Sequence, residues 1–120
     1  ALDIGQIEGG FVQGLGWLTT EELVWGADGK LLTRGASTYK IPTAADIPSH
    51  FHVKFWHEAN PEDNIGGSKA VGEPPLMLAM SVFEALRDAV GEALGGHEPV
   101  RMDAPVTPER VLMALQKNSV

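Results

Sequence analysis

Cysteine is absent from the 120 residues, so disulfides, ligation of an iron–sulfur cluster by this chain and thiol catalysis are all excluded. Basic residues are few: nine Lys and Arg stand against 16 Asp and Glu, for a net charge of -7. With no basic run either, a nucleic-acid or anionic-membrane partner held by bulk charge is not expected. Long apolar runs are missing too; none approaches the roughly 18 residues a membrane-spanning helix needs, and no signal-peptide pattern opens the chain. A soluble protein is expected, with the cytoplasm as the default compartment. An initiating Met is also lacking. "ALDIGQIEGGFVQGL" enters an amphipathic pattern at once, with Ile4, Ile7, Phe11, Leu15 and Leu18 on related faces, which suggests a piece of a longer chain. A hydrophobic fraction of 43% fits one small domain over residues 1–120 with a modest core.

What is abundant is glycine and proline, 14 and 8 residues, and they punctuate the chain. Residues 3–16 read as a helix in spite of Gly5, Gly9, Gly10, Gly14 and Gly16, each costing about 1 kcal/mol against Ala in a helix interior. Two explanations stand: close packing against a neighbour at the 5/9 and 10/14 pairs, or a ligand approaching the backbone. Residues 17–25 read as a strand, and Asp28-Gly29 as a hairpin turn into a second short strand. "STYKIP" to Pro48 is a polar crossing whose role the pattern leaves open. Residues 51–57 alternate as a third strand, with Phe51, Val53 and Phe55 on one face. A turn-rich loop follows, then a helix over about 74–91 with Leu76, Ala79, Met80, Phe83, Leu86 and Val90 as its apolar stripe. Residues 91–106 are irregular, and Thr107-Pro108 caps and starts a last helix through about Leu115. The expected class is α+β, with helices packed on a small, mostly antiparallel sheet.

Candidates for chemistry are few. His50 and His52 would share a strand face with His57 on the other, but no helical H-E-x-x-H pattern accompanies them, so they read as surface residues and not a zinc site. "GGFVQGLG" follows no strand and lacks the ending of a phosphate loop. Trp17, Trp25 and Trp56 read as core or half-exposed strand residues, since the basic neighbours of a stacking platform are scarce. Glu73 is different. It lies between Gly72 and Pro74-Pro75 in "SKAVGEPPLMLAM", where Pro74 is expected to push it out of the α region towards extended backbone at a rigid helix entrance. One reading is a helix-start carboxylate, worth about 0.3–1 kcal/mol. The other is a general base whose direction is fixed.

Three stretches, "DIGQIEGGFVQGLGWLTTEEL", "TRGASTYKIP" and "SKAVGEPPLMLAMSVFEALRDAV", resemble in order and spacing the carboxy-terminal part of the molybdenum-binding subunit of the xanthine dehydrogenases, within the molybdenum hydroxylase family. The resemblance covers nearly the whole chain. It implies that residues 1–120 are the carboxy-terminal part of a larger molybdenum cofactor-binding domain, acting in hydroxylation of xanthine and hypoxanthine to uric acid. It implies that Glu73 is the general base, that Gln6 lies against the molybdenum-molybdopterin cofactor, and that Lys69, Ala70, Val71 and Gly72 border it. A desolvated pocket raises a carboxyl's proton affinity and a helix N-terminus lowers it, so the two effects oppose at Glu73.

The same resemblance places FAD and the 2Fe-2S clusters in other domains or an iron-sulfur/flavin subunit, with NAD at that partner's flavin site. The remaining partners are the purine, the rest of the molybdenum-binding subunit and a possible second copy. The 120 residues alone are expected to hold no cofactor and to be inactive. Two alternatives stand beside this reading: an aldehyde oxidase-type hydroxylase, and a non-catalytic subunit-interaction domain using the apolar face of helix 74–91.

Overall fold

The first helix, α1 (Leu2–Thr19), runs three residues past its expected end and absorbs the start of what reads as a strand. In the computed structural model, which describes residues 1–96 and 100–117, Gly14, Leu15 and Gly16 are its buried residues. Its last turn is closed by local bonds: Thr19 Oγ1 donates to the Leu15 carbonyl at 2.7 Å, and the N–H groups of Thr20 and Glu21 both donate to the Gly16 carbonyl. Those carbonyls would otherwise be left without partners at the helix end.

The crossing that follows folds back over this end. The Tyr39 hydroxyl donates to Glu21 Oε2 at 2.6 Å, and Thr20 Oγ1 donates to the Lys40 carbonyl. The carboxylate accepting its hydrogen bond holds the Tyr39 phenol above its ordinary pKa, because the phenolate would face a negative charge. Phe51 then lies on Phe11 of α1, ring centroids 5.2 Å apart.

The expected sheet does not form. The described residues carry a single antiparallel bridge, between Trp25 and Leu31, around a turn in which Gly29 takes the left-handed conformation at φ 77. Residues 17–19 belong to α1, and residues 51–57 form no strand. Alternation makes a backbone extended; a strand also needs a free edge beside it, and helices offer none. The α+β expectation of helices on an antiparallel sheet is therefore replaced by an architecture of helices joined by irregular segments. The tryptophans follow the same correction: Trp17, Trp25 and Trp56 are all exposed.

The expected helix over 74–91 is two helices, α2 (Glu73–Leu78) and α3 (Met80–Ala93), which meet at Ala79. Ala79 is fully buried, and a Cβ built on Gly14 would sit 2.7 Å from its side chain. The break thus falls where α1 presses against the joint. Replacing Ala79 by Leu should overpack this contact and cost about 1–3 kcal/mol, read as a lowered melting midpoint of the complete protein.

Thr107 Oγ1 accepts from Arg110 N, capping α4 (Pro108–Lys117) as the Thr-Pro pair predicts. Val106, 2% exposed, donates its N–H to the Leu18 carbonyl, and Arg110 pairs with Glu22 at 2.8 Å, so α4 is tied to the end of α1. Of the irregular stretch over 91–106, residues 97–99 lie outside the described residues. Leu15, Ala79, Val90 and Val106, with Pro75, are the buried apolar side chains of the described residues. No helix among them is long and apolar enough to cross a membrane.

Candidate active site

Two elements far apart in sequence meet at one opening. α1 contributes Gln6, Gly9, Gly10 and Gln13, spaced so that they share a helix face. The turn before α2 and its first residues contribute Lys69, Ala70, Val71, Gly72, Glu73 and Leu76. Together they line a cleft of about 660 Å³. All six residues singled out in the sequence, Gln6, Lys69, Ala70, Val71, Gly72 and Glu73, border it. Gly9, Gly10 and Gln13 were not singled out as site residues; the i, i+3, i+7 spacing from Gln6 was the signal that could have found Gln13.

The approach to Glu73 is built from local geometry. Gly66 and Gly67 both have positive φ, 63 and 65, in a short 3₁₀ turn (Ile65–Gly67), a conformation that suits glycine. Ser68 is extended, and Gly72, with φ of -90 and ψ of -29, is the N-cap of α2.

Glu73 is the first residue of that helix and not extended, contrary to the preference expected before proline. Pro74 and Pro75 occupy positions whose N–H would have no acceptor within the helix, so the prolines cost no helical hydrogen bond. Leu76 makes the first one, its N–H donating to the Gly72 carbonyl at 3.1 Å. Pro75 is buried, which anchors the turn.

The side chain of Glu73 is exposed in this chain, and it has no hydrogen-bond or ion-pair partner among the described residues. Gln6 and Lys69 are exposed as well. The cleft is thus one wall: two amides, an ammonium and a carboxylate face an open side. Among the described residues no group of three or more His, Asp or Glu could hold a metal ion, and His50, His52 and His57 are exposed outside the cleft. The α1 backbone is accessible at Gly9, where an added Cβ would meet no atom within 4 Å.

Comparison with known proteins bears on what this wall faces. Residues 1–48 match the family described as molybdopterin cofactor-binding domain. The chain is 52% identical over 114 residues to the xanthine dehydrogenase/oxidase of Gallus gallus, an alignment covering 92% of this chain and 8% of that one. It is 48% identical over 124 residues to the xanthine dehydrogenase of Oryza sativa subsp. japonica, covering 95% and 9%. It is 43% identical over 119 residues to aldehyde oxidase 1 of Bos taurus, covering 97% and 9%. The chain spans less than a tenth of the length of these curated relatives.

Proposed function

We propose that this chain, by its sequence a segment of a molybdenum hydroxylase, forms one wall of the molybdopterin site of a xanthine dehydrogenase that converts xanthine and hypoxanthine to uric acid. The observation that carries the reading is the convergence of Gln6 and Glu73 on one cleft, which residues 69–72 also line. The residues present suit the cofactor. A phosphorylated, amide-edged heterocycle calls for neutral donors and acceptors and a cation, which Gln6, Gln13 and Lys69 supply. Among the described residues no cluster of His, Asp or Glu could ligate a metal ion, so the molybdenum would be held by the pterin and not by these side chains. Bound there, molybdenum-molybdopterin supplies the two-electron oxidation and the oxygen transferred to the purine.

The chain's own part is to place groups and to move a proton. Glu73 is the general base, its carboxylate taking up the proton released as the purine carbon is hydroxylated. The prolines behind it leave few backbone alternatives, so the direction in which its side chain leaves the backbone is set before substrate arrives. Gln6 contacts the cofactor with its amide, and residues 69–72 close the near edge. Residues 1–120 belong on this reading to the carboxy-terminal part of a larger cofactor-binding domain. FAD and 2Fe-2S clusters lie elsewhere, in agreement with a chain that has no cysteine to ligate a cluster.

Substitution of Glu73 in the complete enzyme is the direct test. Loss of turnover with cofactor retained supports the general base; unchanged turnover supports a non-catalytic interaction domain instead. Gln6→Ala should lower the molybdenum content of the purified complete enzyme, measured by metal analysis, about three- to tenfold, since one charge-neutral contact to the cofactor contributes about 0.5–1.5 kcal/mol. A second reading, an aldehyde oxidase-type hydroxylase, is favoured by the 43% identity to the bovine aldehyde oxidase. Steady-state rates with xanthine and with an aromatic aldehyde, on the same preparation, separate the two.

A further inference from the structure

We propose that Gly10 is a positioning residue for Glu73, acting through the Gly72 carbonyl; the inference rests on the general-base reading above and deepens it. Gly10 lies in the body of α1 with an ordinary helical backbone, so its conformation does not call for glycine. Its surroundings do. A Cβ built there would lie 2.5 Å from the Gly72 carbonyl oxygen and 3.2 Å from its carbon, whereas at the neighbouring Gly9 it would meet nothing. Gly72 immediately precedes Glu73, and its carbonyl accepts the first hydrogen bond of α2, from Leu76.

That carbonyl is therefore held from two sides. α1 presses on it through the missing side chain of Gly10, and α2 grips it through the Leu76 N–H. Gly14 makes the same kind of contact one turn further along, against the Leu76 carbonyl and Ala79, so α1 cannot pivot away to relieve a larger residue at position 10. A methyl group there must push the Gly72 peptide by about 1 Å, and Glu73 with it; a misplacement of that size at a reacting group costs about 10²-fold in rate. General packing of α1 on α2 would lower stability without regard to what stands at position 73.

The test is a double-mutant cycle in the complete enzyme with Gly10→Ala, Glu73→Gln and both together. Three quantities are read: turnover, molybdenum content, and amide exchange of peptides spanning residues 73–79. Gly10→Ala alone is expected to lower kcat about 100-fold with molybdenum retained, and to speed exchange at the start of α2. In the Glu73→Gln background it is expected to change the rate less than threefold, since the group it positions is already gone. A further 100-fold loss in that background, or exchange at the parental rate, overturns the inference while leaving the general base standing. Parental turnover in Glu73→Gln alone overturns the general base itself, and the positioning role with it. Should Gly10→Ala fail to assemble, Leu76→Pro carries the cycle. It removes the hydrogen bond to the Gly72 carbonyl and sets a ring against that oxygen, displacing the same peptide from the other side, and the same non-additivity with Glu73→Gln is expected; additive losses overturn the proposal.

Discussion

Replacing Glu73 by Gln in the complete enzyme should lower turnover by about 10²–10⁴-fold, the range a positioned general base contributes. Molybdenum content and melting midpoint should stay at the parental level. The substitution is nearly isosteric, and the side chain is exposed and without a partner in this chain, so little packing is disturbed. The contrast in size is what makes the experiment decisive. A carboxylate serving only the helix start is worth about 0.3–1 kcal/mol of stability, whereas the rate loss corresponds to about 3–5 kcal/mol of transition-state stabilisation. A variant that melts slightly earlier but turns over normally would identify Glu73 as a helix-start residue. One that melts normally and is slow would identify it as the base.

The second large effect concerns the 120 residues expressed alone. Metal analysis should find no stoichiometric molybdenum, and a xanthine oxidation assay no turnover. The cleft supplies only one wall, with Gln6, Lys69 and Glu73 all facing outward. The chain is also poorly enclosed. Its accessible surface is 9328 Å², against about 6,300 Å² for a compact monomer of this mass, and its radius of gyration is 18.1 Å against about 14 Å for a compact domain of this length. Much of the excess is apolar: Trp56, Ile65, Leu78, Leu2 and Trp25 are each more than 60% exposed. Surface of this kind seeks a cover, so the isolated chain should also elute from a sizing column as self-associated species. Bound molybdenum and turnover in a monomeric preparation would contradict the picture of an incomplete wall.

Helices were legible where several local signals agreed. The i, i+4 apolar positions of α1 and the Thr-Pro start of α4 each needed no distant partner to be recognised. Strands were not legible, because the alternation over 51–57 describes one backbone and a sheet requires two. The break at Ala79 was invisible for a related reason: the stripe from Leu76 to Val90 is continuous in sequence, and the break coincides with the press of Gly14 from the far end of the chain. For the glycines, close packing is met at the 10/14 pair and not at the 5/9 pair. Gly9 and Gly10 both border the cleft, but only Gly10 and Gly14 press on the chain opposite, a distinction set by which way each points.

By itself the sequence determined the chemical inventory: no thiol for a cluster, no metal-ligating motif, one carboxylate at a proline-led helix start, and a resemblance that ties it to molybdenum chemistry. Tertiary structure alone decided that Gln6 and Glu73 share a cleft, that Glu73 opens its helix instead of lying extended, and that α1 bears on the peptide just before it. Residue types are fixed one position at a time, whereas distances between elements arise only when side chains compete for the same space, and no local pattern encodes that competition.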